Sequence, residues 1–107
     1  MMLLLLTGSL AKRIKYMDIV MEVVQPKQEN RCPETGNLVV TRYSVQSLNG
    51  TLMDQSSKPY RFTLGGSSAP YDMDYIVGQM CVGERVKAQV NYQNDTFVVD
   101  VELVDFK

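Results

Sequence analysis

The sequence predicts an α+β fold, an antiparallel, strongly twisted β-sheet wrapped around one short α-helix. Three observations carry this. Tyr60, Phe62 and Leu64 alternate with Arg61 and Thr63, the period of two of a half-buried strand. Met73, Ile76, Val77 and Met80 fall at i, i+3, i+4 and i+7 and form one apolar stripe on a helix. Val86, Ala88 and Val90 then alternate with Arg85, Lys87 and Gln89, so a second strand follows the helix.

Taken in order, residues 1–17 read as an N-terminal tail or a short signal segment, and residues 18–107 as one domain. Met1 to Leu6 is apolar, and Ser9-Leu10-Ala11 offers the small residues of a signal-peptidase site. Against this, no positive charge precedes the run; Lys12 and Arg13 follow it. The run is too short to span a membrane. Asp18 to Val24, rich in Val, Ile and Met, reads as an outer strand, and Gln25 to Asn30, polar with Pro26, as a loop. Leu38 to Val45 is the next strand, with Val39, Thr41, Tyr43 and Val45 on one face. Asn49-Gly50 marks a hairpin turn.

After the Tyr60–Leu64 strand, Gly65 and Gly66 break the pattern. Ser67 or Ser68 can cap a helix over Pro70 to Met80, since proline is tolerated in a first turn whose amides lack partners. Gly83 suits a left-handed cap just beyond the stripe. Asn91 to Asp95 is a short connector. Thr96 to Phe106 is a long, proline-free strand that fits a central position.

Composition narrows the function. At 107 residues the chain is one small domain. A net charge of −1 gives no basic footprint, so no nucleic-acid partner is expected. The absence of histidine excludes Ser-His and Cys-His relays and removes the commonest metal ligand. No phosphate-binding glycine loop is present, and neither a metal nor a cofactor is expected. On the residues alone Cys32 and Cys81 read as two unrelated thiols, one exposed and one buried. Asn49-Gly50-Thr51 and Asn94-Asp95-Thr96 match the N-glycosylation pattern at Asn49 and Asn94, although Asn49-Gly50 is already accounted for as a turn.

Four ordered motifs resemble the FKBP family of peptidyl-prolyl isomerases. They are Lys58-Pro59-Tyr60-Arg61-Phe62-Thr63-Leu64-Gly65, then Gln79-Met80-Cys81-Val82-Gly83-Glu84, the last strand from Val98 to Leu103, and Tyr43 with Asp54 upstream. The resemblance runs from about Asn37 to Phe106. It implies an FKBP-like fold and a proline-binding cup in which Tyr43, Asp54, Tyr60 and Met73 are the catalytic positions. Met53, Phe62, Ala69, Pro70 and Val99 then contact substrate. The partners implied are proline-containing peptides or unfolded client proteins.

Prolyl isomerisation needs no nucleophile. The barrier of ~18–20 kcal/mol is amide resonance lost on twisting, and a dry apolar cup lowers it by binding the twisted form best. Here the cup departs from the family. Met73 replaces the floor tryptophan, Met53 and Val99 replace aromatics, and Pro70 has no amide to offer a ligand. The family's long loop before the last strand is reduced to Asn91–Asp95. Met53 and Met73 then read best as core filling. Weakened isomerase activity and weak macrolide binding are expected, with a non-catalytic peptide- or protein-binding module as the alternative; a truncated or mis-spliced product with no stable function is a third reading. Secretory-pathway members resemble the chain at both cysteines, and this implies a Cys32–Cys81 disulfide. With it comes an endoplasmic-reticulum or secreted location rather than a cytoplasmic one.

Overall fold

The computed structural model describes the backbone of residues 13–16 and residues 19–107 in full. The Met1–Leu6 run, the Ser9–Ala11 site and Asp18 lie outside the described residues. Among the described residues, seven strands and one helix follow in order. They are β1 (Arg13–Tyr16), β2 (Ile19–Gln25), β3 (Leu38–Ser47), β4 (Leu52–Gln55), β5 (Tyr60–Thr63), α1 (Met73–Val77), β6 (Arg85–Tyr92) and β7 (Asp95–Phe106).

All strands join one antiparallel sheet in the order β1-β2-β6-β7-β3-β4, and β5 pairs with the other end of β3. β3 is long enough to hold two partners on one edge. Its residues 38–41 pair with β5 and its residues 44–46 with β4. β7 is central, between β6 and β3, as its length and lack of proline predict. The alternation also holds. Val39, Thr41 and Val45 on β3, Val86, Ala88 and Val90 on β6, and Val99, Val101 and Leu103 on β7 are all buried. They meet Met73, Ile76, Val77 and Met80, each at most 1% exposed. Thr41 is the one buried polar side chain among the described residues, and its hydroxyl donates to the Tyr60 carbonyl at 2.9 Å. That bond ties β3 to β5 inside the core.

Two expectations are corrected and one element is added. First, β2 is not the outermost strand, because Arg13–Tyr16 pairs along it from Arg13↔Glu22 to Tyr16↔Ile19. Residues 13–16 are therefore the edge strand of the sheet. Second, Leu52–Gln55 forms a strand that alternation does not reveal. Val45 pairs with Asp54 and Gln46 with Leu52, which leaves Met53 as the extra residue of a bulge. Third, the helix is five residues long instead of running from Pro70 to Met80. Its start is set by Tyr71 (φ 59°) and Asp72 (φ 57°), both left-handed, which the α-helical ladder cannot include. Neither Ser67 nor Ser68 caps it. Asp72 takes the N-cap position without a side-chain hydrogen bond, and Gly78 ends the helix. Beyond it the Gln79 and Met80 amides bond back only three residues, a tightening of the last turn.

Cys32 and Cys81 form a disulfide, with Cα atoms 4.1 Å apart. Around it the segment before β3 is strapped to the end of the helix. The Gln28 amide donates to the Val82 carbonyl and the Val82 amide to the Arg31 carbonyl, each at 2.9 Å. Gly83 (φ +90°) lies so close to this strap that a Cβ there would sit 2.7 Å from Gln28 Cβ. Glycine is required there by both conformation and space.

Candidate functional site

The site grows from the middle of β3. The Tyr43 side chain shares the core-facing side with Thr41 and Val45, and Ser56 anchors the backbone behind it. The Tyr43 amide donates to Ser56 Oγ at 3.0 Å, and the Ser56 amide donates to the Tyr43 carbonyl at 3.0 Å. The bulge at Met53 turns Asp54 toward the same side. Tyr43 donates its hydroxyl to Asp54 Oδ2 at 3.4 Å, and the Gln55 amide donates to Oδ1 at 2.7 Å. Tyr60 enters from β5 with its ring edge-on to Tyr43, centroids 5.5 Å apart, and next to Phe62 at 5.7 Å.

A second set of rings completes the cluster. The left-handed turn at Tyr71 carries its ring over the β6–β7 hairpin, 4.6 Å from Tyr92 and 6.0 Å, edge-on, from Phe97. Its hydroxyl reaches Asp54 Oδ2 at 3.5 Å. One carboxylate oxygen is thus shared by two phenols. Burial, and then the charge of Asp54, raise both tyrosines above the usual phenol range, so each remains a donor at neutral pH. The hairpin itself is tight. Tyr92 pairs with Asp95, and Gln93 (φ 52°) and Asn94 (φ 70°) form a two-residue turn with both centres left-handed, the twist that suits adjacent strands.

The residues named from the sequence are not all in one place. Tyr43 bonds Asp54 and packs on Tyr60, and these three, like Ala69 and Pro70, are half-buried. Phe62, Met73 and Val99 lie in the core on which the half-buried tyrosines pack, at 4%, 0% and 0% exposure. For Met73, core filling is the correct description. For Met53 it is not. Met53 is 55% exposed because the bulge points it away from the core. Pro70 contributes its carbonyl to the turn, accepting from the Met73 amide at 3.1 Å.

Tyr71, Tyr92 and Phe97 were not among the candidates. Two of them carried a signal, since Tyr92 continues the Val86–Val90 alternation and Phe97 begins that of β7. Two grooves of about 550 and 730 Å³ lie elsewhere. The first includes Tyr43 but runs along the outward side of the sheet past Arg42, Arg85, Asp100 and Glu102; the second lies beside Glu34, Thr35 and Asp74. Charged and amide side chains line much of both, and each has a single aromatic residue, Tyr43 in the first and Tyr75 in the second, in place of a set of rings. The aromatic cluster around Asp54 is the candidate site.

The model of the FKBP-type peptidyl-prolyl cis-trans isomerase domain matches residues 29–102. The chain belongs to this family. The match spans β3 to β7 through Glu102, and so includes every ring of the cluster. It also extends upstream of the motifs, to the strap that carries Cys32. Among the described residues no group of histidine, cysteine, aspartate or glutamate side chains is arranged to hold a metal, and no helix is long and apolar enough to cross a membrane.

Proposed function

We propose that this FKBP-family chain isomerises prolyl bonds in proline-containing segments of client proteins, more slowly than relatives that keep a tryptophan floor and a long covering loop. The observation that carries the reading is the pair of ring groups, Tyr43 with Tyr60 and Tyr71 with Tyr92 and Phe97, joined at Asp54 and packed on the hydrophobic core. Aromatic faces give a prolyl ring dispersion contact, and their low polarity favours the twisted amide, whose resonance is reduced. The reduced rate follows from the two-residue Gln93-Asn94 turn, which leaves nothing on the β6–β7 side to fold over a bound peptide. It follows also from the full burial of Met73, which cannot lie flat under a ring as an indole does. Macrolide binding is weak for the same reasons.

A second reading, a binding module without turnover, draws on the same open side. The Cys32–Cys81 disulfide supports an oxidising compartment, the endoplasmic reticulum or outside the cell, for either reading.

Exchange of the two prolyl isomers in a short peptide, followed by NMR, tests this without a coupled protease. Slow but measurable catalysis, lost in Tyr43→Ala and Asp54→Ala proteins that still fold, is the expected result. Peptide binding with no exchange above background would leave the binding module. Fast turnover and tight macrolide binding by the unmodified chain would refute the weakened site.

A further inference from the structure

The chemistry of the cluster selects among proline segments. Asp54 is half-buried among rings, and none of the ion pairs among the described residues involves it; those pairs are Arg31 with Glu29 and Asp105, and Arg85 with Asp100. Two further carboxylates flank the same rings. Asp72 adjoins Tyr71 in the left-handed turn, and Asp95 pairs across the hairpin with Tyr92; both are exposed and neither has an ion-pair partner among those residues. Set against these three is Lys58, exposed, two residues before Tyr60. Arg61 belongs to the opposite, exposed face of β5.

A cation gains twice at such a place. Ring faces attract it through their quadrupoles, and carboxylates lacking a basic partner attract it by charge, most strongly where they are partly removed from water. An acidic side chain loses on both counts. A long aliphatic stem ending in a cation fits best, since the stem can lie along the rings while the charged head stays wet.

We infer that the site prefers proline segments in which a lysine or arginine adjoins the proline. This rests on the proposed peptide-binding reading of the site and names its substrate class. Tyr71 and Asp54 are the specificity-determining residues, the first as ring face and the second as counter-charge.

Three peptides identical except for the residue before proline test it: lysine, norleucine, which has the lysine stem without the ammonium, and glutamate. Affinity is read by NMR titration and turnover by isomer exchange. At low ionic strength lysine should exceed norleucine by roughly two- to fivefold, and glutamate should fall below both. Added salt should narrow the spread, because the flanking carboxylates are exposed. Asp54→Asn should bring lysine and glutamate closer together, and Tyr71→Leu should reduce the advantage of lysine over norleucine. Should either variant fail to fold, the unmodified chain with the three peptides still decides. Equal handling of lysine and norleucine, or a preference for glutamate, by a chain that does bind the norleucine peptide would overturn the preference and leave the proposed function standing. Binding and turnover of none of the three would overturn both.

Discussion

At the C-terminal end of α1 the chain is fixed by a disulfide and by bonds to backbone distant in sequence, whereas at the N-terminal end it is held chiefly by side chains. Behind Met80 come the Cys32–Cys81 disulfide, the Val82 amide and carbonyl bonded to the strap, and Gly83 with its amide on the Leu103 carbonyl at 2.9 Å. Glu84 Oε1 accepts from the Cys81 amide at 2.9 Å, and Gln25 Nε2 donates to the Gly83 carbonyl at 3.0 Å. Ahead of Met73, by contrast, three non-glycine residues, Ser67, Tyr71 and Asp72, sit left-handed, and the segment is held by the Tyr71 ring and by the Asp74 carboxylate, which takes the Gly65 amide at 2.6 Å. The difference separates two duties. The C-terminal end secures the fold. The N-terminal end carries the candidate site and tolerates local strain, as functional segments commonly do.

Four substitutions break or sharpen that contrast. Replacing both cysteines by serine should have the largest effect. By loop entropy a bridge closing about 50 residues contributes ~4 kcal/mol. Denaturant melts of the variant, and of the native chain with and without reductant, should show that loss. A change near zero would mean that the hydrogen bonds of the strap hold this end unaided. Ile76→Ala, at a fully buried position in the middle of the helix, should cost about 3 kcal/mol. An effect of only a few tenths would contradict the assigned buried face.

Gly83→Ala should cost about 1–3 kcal/mol, since the new methyl meets Gln28 and the backbone is left-handed. If the cost is shared with Gln28, the double variant Gly83→Ala with Gln28→Ala will recover part of it in a double-mutant cycle. The smallest effect has the opposite sign. Asp72→Gly removes the left-handed penalty at an exposed position that makes no capping bond, and should stabilise by up to about 1 kcal/mol after the entropy cost of glycine. A loss of stability there would show that the Asp72 side chain makes an interaction the fold depends on.

Much of the framework was legible because strand alternation survives in every element that covers the core. Val39, Thr41, Tyr43 and Val45 were assigned to one face from period alone, and the central place of β7 followed from its length. Helix length was not legible. The stripe from Met73 to Met80 keeps helical spacing through the tighter turn at Gln79 and Met80, and nothing but the mild tolerance of aspartate for φ > 0 marks Asp72. β4 escaped because its bulge at Met53 spoils the period within four residues. The pairing of the cysteines came from family resemblance, since their spacing alone left them unrelated. In the site, Tyr43, Asp54 and Tyr60 were found by motif. Tyr71 was missed because a left-handed backbone, not a pattern, aims it at Asp54.

The central position of β7 has a consequence for how the protein is made. Synthesis delivers β3 long before β7, its partner in the middle of the sheet, and Val39 must wait for Phe106 to pair. Without residues 95–106 the sheet divides into two part-sheets with open inner edges, one built from β1, β2 and β6 and the other from β3, β4 and β5. Such edges are templates for wrong pairing, and contacts of such long sequence separation form slowly. A chain that ends in the β6–β7 hairpin therefore has two part-sheets and no strand to join them, a substrate for chaperones and proteases.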